Sequence, residues 1–185
     1  MNIMPSHSLS LTNDRTVTQT FWILTFAILT MIGAQVEIPH HPVPFTLQTF
    51  VVLLAGAMLG KRNGVLSMMS YLALGALGLP VFSGAGFGMA KLIGPTGGYL
   101  LAFPVCAFVV GTLVSFRSGF LWVLLSMTFG LLLVFLLGTL QLNLVYFHDW
   151  NSSFNAGFLI FSWWDIVKLV AAASIAHQLR NHTIS

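Results

Sequence analysis

Asp165 and Lys168 stand three residues apart inside the last long apolar run, residues 158–179. An ionisable side chain at the centre of a membrane-spanning helix costs about 2.5 to 3.5 kcal/mol on insertion scales, so each needs compensation. Three apart on a helix, the two share a face and can meet. Either they form a salt bridge that neutralises them and fixes helix packing, or their hydrogen-bonding capacity is offered to a polar ligand. The second reading is favoured, because a merely structural site could be filled by apolar residues without that cost. With a rise of about 1.5 Å per residue, Asp165 is expected about 10 Å and Lys168 about 15 Å from the helix's outer end near Phe158.

Residues 80–98 supply the next candidates: Gly84, Gly86, Phe87, Gly88 and Lys91, followed by Gly94-Pro-Thr-Gly-Gly98. The segment is more apolar than a solvated loop. Irregular backbone at membrane depth is tolerated only where protein covers it or a wet cavity receives its polar groups, and glycines let it bend close to a ligand. It is therefore expected to be a folded-in lid, the alternative being a surface loop whose glycines serve turns alone. Thr96 is expected to cap the helix that follows, whose first amides would attract a carboxylate. Lys91 is either the partner of a ligand's anionic end or a solvated surface lysine. Tyr99, Trp164, Phe82, Phe87 and Trp163 either wall an apolar pocket or sit at helix ends as interface anchors.

Other patterns carry no chemistry. Residues 55–62 resemble a phosphate loop, but Ala55 replaces its first glycine and Arg62 stands where Ser or Thr would hold magnesium, so no ATPase site is visible. The glycines at 84, 86 and 88 lack the spacing and the preceding strand of a dinucleotide fingerprint. His40 and His41 precede Pro42 with Glu37 as the one nearby carboxylate, which reads as an interfacial turn rather than a metal site. Cys106 is the only cysteine, so an internal disulfide is excluded. No catalytic residue, metal or cofactor is expected.

The elements that must position these residues follow from composition. The 185 residues are 57% hydrophobic and 6% charged, against about half and a quarter in a soluble protein, so the bilayer is the solvent. Apolar runs predict an all-α integral membrane protein with six transmembrane helices, near 17–36, 46–59, 64–79, 98–116, 119–142 and 158–179. The second and third are short for a bilayer about 30 Å thick. With both termini cytoplasmic, Arg15, Lys61, Arg62, Arg117 and Arg180 fall inside, which is five of the seven basic residues. Residues 1–16 are expected to form a polar cytoplasmic tail without a secretory signal, 17–182 the single domain, and 183–185 a short C-terminal tail. The net charge of +3 is too small and scattered for nucleic acid. Ala27, Thr30 and Ala34 on the first helix belong either to internal packing or to a partner-docking face.

Several separated motifs in one order carry a family resemblance: Pro44-Phe-Thr-Leu-Gln48, Leu54-Ala-Gly-Ala-Met-Leu-Gly60, Gly75-Ala-Leu-Gly-Leu-Pro-Val-Phe82, Gly94-Pro-Thr-Gly-Gly-Tyr99 and Asp165-Ile-Val-Lys168. Across about residues 20–180 the chain resembles the BioY family, the biotin-binding S components of energy-coupling factor transporters. The resemblance implies biotin uptake across the bacterial cytoplasmic membrane, working alone or with a transmembrane T component and two ATPase subunits, which alone would handle ATP. It implies a ligand site on the outer side, built by helices four to six and the loop after helix three, with Asp165 and Lys168 as its polar residues. It also implies partner docking through small residues of the first helix, where Ala27, Thr30 and Ala34 replace a plain A-x-x-x-A. Ala85 and Phe87 interrupt what is a glycine run in many relatives, and Lys91 fills a usually apolar slot. An S component for another vitamin, such as thiamin or riboflavin, is the alternative; a lipid-processing membrane enzyme would need more intramembrane acids than Asp165. In the biotin reading, Asp165 accepts from the ureido N–H groups, Lys168 donates to the ureido carbonyl, and Lys91 or the fourth-helix amides receive the carboxylate.

Overall fold

The computed structural model describes residues 11–159 and 163–184, with side chains for 16–159 and 163–180. Residues 1–10 of the expected tail, 160–162 of the expected last helix and Ser185 lie outside the described residues. Helices α1 (Leu11–Gln35), α2 (Gln48–Ala76), α4 (Gly97–Val114), α5 (Phe120–Leu142) and α7 (Trp163–Ile184) make a bundle, with short helices α3 (Met89–Ile93) and α6 (Trp150–Gly157) between them. Four of these are long and apolar enough to cross a membrane: Thr16–Gln35, Gln48–Ala76, Gly97–Val114 and the continuous stretch Phe120–Phe147.

Gly60 divides α2. Its φ of 76° and ψ of 177° are open to glycine and strained for any other residue. The chain reverses there, because the Gln48 amide donates to the Tyr71 hydroxyl, a pair that a straight helix would hold about 35 Å apart. What length alone measures as one helix is therefore a hairpin of two antiparallel limbs, 48–59 and 61–76. These are the two runs that the sequence marks as short.

The limbs pack tightly where side chains are missing. A Cβ on Gly56 would come within 2.8 Å of the Ala107 carbonyl oxygen on α4, and one on Gly64 within 3.1 Å of that of Ala55. In lipid, where apolar surface gains little by leaving the solvent, such close backbone approach is what binds helices together. On α1, Ala27, Thr30 and Ala34 are all buried. Thr30 lies against Met68, and the Ser67 hydroxyl donates to the Ile23 carbonyl at 2.8 Å. The small residues of α1 thus pack inward on the α2 hairpin; the expected docking face is not presented outward.

Hydrogen bonds sort the two ends of the bundle. At one end, Arg180 donates to the carbonyls of Ala57 and Val114 at 3.1 and 3.0 Å, placing its charge at two helix C-termini. His177 meets the Ser118 carbonyl there at 3.0 Å. Lys61, Arg62 and Arg117, in the α2 turn and the α4–α5 turn, share this end. At the other end lie the loop 77–96, α3, α6 and a two-stranded antiparallel ribbon, β1 (Glu37–Ile38) with β2 (Phe45–Thr46), in the register Glu37 opposite Thr46.

Candidate functional site

Asp165 and Lys168 lie in the first two described turns of α7 (Trp163–Ile184) and are 2% and 5% exposed. The expected helix start near Phe158 is not found: Phe158 is the C-cap of α6, which ends at Gly157, and α7 is described from Trp163. The pair is therefore nearer its helix end than sequence spacing suggests. It is buried by its neighbours rather than by depth along one continuous helix.

The Lys168 ammonium has three hydrogens and three acceptors. It meets Asp165 Oδ1 at 2.7 Å, the Thr46 carbonyl at 2.9 Å and the Thr49 hydroxyl oxygen at 2.9 Å. Lys168 thereby ties α7 to the end of β2 and the start of α2. The same corner continues as a polar relay. The Thr46 hydroxyl donates to the Gln48 side-chain carbonyl at 2.9 Å, the Gln48 amide donates to the Tyr71 hydroxyl, and Tyr71 donates to the Val81 carbonyl at 3.3 Å. Each buried polar group in the relay has a partner, the condition under which such groups are stable away from water.

The pair is not sealed against itself. Asp165 and Lys168 line a cavity of about 60 Å³ together with Thr46, Gln48, Thr49, Tyr99, Phe103 and Phe135. Its wall is mostly apolar, with polar groups gathered at one corner, the arrangement expected of a small-molecule site. Tyr99 is set by two contacts: its ring packs on Gly138, where a Cβ would come within 2.3 Å of it, and its hydroxyl donates to the Gly157 carbonyl at 2.9 Å. Gln141 donates to the carbonyls of Leu92, Ile93 and Gly94, holding the end of α3 against α5.

Beside the cavity lies a recess of about 240 Å³ lined by Glu37, His40, His41, Ser83, Gly84, Lys91 and Thr96, with Pro44, Ser83 and Thr96 bordering both spaces. The segment 80–98 covers the bundle end in part. Val81 and Phe82 are buried, Phe82 seated on Gly75, while Phe87 is 59% exposed and points away.

Of the expected site residues, Asp165, Lys168 and Tyr99 come together on the cavity, and Lys91 and Gly84 on the recess. Gly86 contributes space, since a Cβ there would come within 2.4 Å of Lys91 Cε. Phe87 faces outward, Trp164 packs edge-on against Trp163 away from the cavity, and Gly88 bonds to the Gly75 carbonyl at the start of α3. Thr96 sits at the α4 N-cap but makes no side-chain capping bond; its side chain borders both spaces instead. Sequence spacing had missed Thr46, Gln48 and Thr49. Their signal was three polar residues in four at the mouth of an apolar run.

The BioY family profile matches residues 5–184 of this chain. The chain belongs to the BioY family. Among curated BioY proteins it is 46% identical to the biotin transporter of Thermotoga maritima, over 84% of this chain and 91% of that one. It is 43% identical to the probable biotin transporter of Pyrococcus horikoshii, over 87% and 95%. The BioY fold is matched in the same way by the crystal structure of the S component for biotin from an energy-coupling factor transporter. That structure superimposes with a TM-score of 0.85 at 27% identity, covering 93% of this chain and 95% of the other.

Proposed function

We propose that this chain is the biotin-binding S component of an energy-coupling factor transporter, taking biotin from the outer face of the cytoplasmic membrane. One observation carries the reading beyond the family: a buried, hydrogen-bonded Asp–Lys pair lines a mostly apolar cavity at the end of the bundle opposite Lys61, Arg62, Arg117 and Arg180. Biotin has matching chemistry, an apolar bicycle and chain with a ureido group whose N–H donors need an acceptor. Asp165 is that acceptor. Because the three hydrogens of Lys168 already have acceptors, its part is to hold and neutralise the carboxylate. The ureido carbonyl then takes a donor from the second amide hydrogen of Gln48 or the hydroxyl of Thr49, both on the cavity wall. Lys91, on the recess, receives the carboxylate.

In this reading α1, the two limbs of α2, α4, α5 and α7 make six crossings, with both termini and the cluster Lys61, Arg62, Arg117 and Arg180 on the cytoplasmic side. The chain supplies recognition, and a T component with two ATPase subunits supplies energy. Each buried methylene contributes about 0.8 kcal/mol, so the four of the valerate supply about 3 kcal/mol of the roughly 12 that nanomolar binding needs; ring burial and polar contacts supply the rest. Equilibrium binding of radiolabelled biotin to the purified, detergent-solubilised chain tests the proposal. Saturable binding displaced by biotin and not by thiamin or riboflavin is expected, and absence of saturable binding overturns it.

A further inference from the structure

The recess outside the cavity is built for more than a lone carboxylate. Its wall carries charges of both signs, Glu37 from β1 and Lys91 from α3. These two are held on neighbouring glycines of one loop. The Glu37 carboxylate lies in ordinary contact distance of Gly84, 3.6 Å from where a Cβ there would stand, and the Lys91 stem lies against Gly86, where a Cβ would come within 2.4 Å of Lys91 Cε. No salt bridge joins Glu37 to Lys91 among the described residues. Each is left to meet a separate partner. A recess meant for a free carboxylate gains from Lys91 and loses to Glu37, whose like charge repels the anion. A ligand end carrying both charges gains from both.

We infer that the recess admits biotin extended through an amide at its carboxyl carbon, and that it selects extensions ending in a paired ammonium and carboxylate, as in Nε-biotinyl-lysine. The bicycle occupies the cavity beside Asp165. The amide-linked chain passes Pro44, Ser83 and Thr96, the residues common to both spaces, and the amino-acid end lies between Glu37 and Lys91. His40 and His41 close the outer rim beside Pro42. The inference rests on the proposed binding of biotin and adds a second ligand class to it.

Competition against radiolabelled biotin on the purified full-length chain tests it, using biotin, Nε-biotinyl-lysine, the neutral biotin pentylamide and the cationic biotin 5-aminopentylamide. Biotinyl-lysine is expected to compete within about tenfold of biotin, and the neutral amide at least about tenfold more weakly than biotinyl-lysine. Glu37→Gln is expected to weaken biotinyl-lysine by about fivefold or more while biotin itself binds as well or more tightly, its carboxylate being relieved of a like charge, which also shows that the variant folds. If biotin binds and biotinyl-lysine does not compete, the inference is overturned while the biotin reading stands. If biotinyl-lysine and the neutral amide compete equally and Glu37→Gln changes neither, the recess is merely open, and the charge pairing is overturned. Failure of biotin itself to bind overturns the functional reading on which the inference depends.

Discussion

At the scale of the residue, Asp165 and Lys168 are bound more tightly to each other's fate than their spacing implies. Removing one member of a buried pair leaves an uncompensated charge and costs about 3 to 5 kcal/mol, whereas neutralising both is far milder. Lys168→Ala is therefore expected to lower thermal stability in detergent and to weaken biotin binding by tenfold or more, about 1.4 kcal/mol at least. The double variant Asp165→Asn with Lys168→Met should recover much of the stability and little of the binding. Calorimetric melting beside radioligand binding checks both, and full binding by the double variant would remove Asp165 from the site. Asp165→Ala, which loses the ureido acceptor itself, is also expected to weaken binding about tenfold or more. The polar corner at Thr46, Gln48 and Thr49 was legible only as polarity out of place in an apolar run. Its partners are more than a hundred residues away in sequence, as the bonds from Lys168 to Thr46 and Thr49 show, and no local pattern encodes such a distance.

At the scale of the element, the α2 hairpin is the joint that brings the site's two walls together. Its turn depends on the backbone of Gly60, and nothing lies within 4 Å of where a Cβ there would stand. Gly60→Ala therefore isolates backbone strain from collision and is expected to cost about 1 to 3 kcal/mol of stability, read from the shift in melting temperature with ligand absent. Gly138→Ala is a collision instead, with the Tyr99 ring 2.3 Å from the added carbon. It should displace Tyr99 from the cavity wall and weaken ligand binding as well as stability, overpacking of this kind costing about 1 to 3 kcal/mol. A loss of stability with unchanged affinity would show that Tyr99 is not part of the binding wall. The helices α1, α4 and α5 and the two limbs of α2 were plain from apolar run length. The short α3 and α6, the ribbon and the π-helical end of α5 at Asn143–Phe147 were not, since each is held by tertiary bonds such as Ser153 to Asn143 and Gln141 to the end of α3.

For the whole molecule, the testable property is which way the bundle faces. Lys61, Arg62, Arg117 and Arg180 gather at the end opposite the cavity, and the proposed topology, which follows the positive-inside rule, has the cavity facing outward. Cysteines introduced at Met89, which is 56% exposed on α3, and at Ser118 in the opposite turn should report this, because native Cys106 is buried. A membrane-impermeant maleimide applied to intact cells is expected to label the first and to reach the second only after permeabilisation. The reverse pattern would invert the proposed topology.

Run length and charge placement determined that the chain lives in a bilayer as a helical bundle, because lipid imposes its demands on every residue of a span independently of what the span packs against. The charged pair was equally visible, since an intramembrane Asp and Lys stand out in any apolar run. What only the tertiary structure decided was the company those charges keep. Lys168 spends its hydrogens on Thr46, Thr49 and Asp165, the α1 small residues turn inward, and the cavity beside the pair is lined by Gln48 and Phe103 rather than by Phe87 or Trp164. These outcomes depend on contacts between segments far apart in the chain, where packing space and hydrogen-bond geometry choose among partners that sequence spacing leaves equivalent.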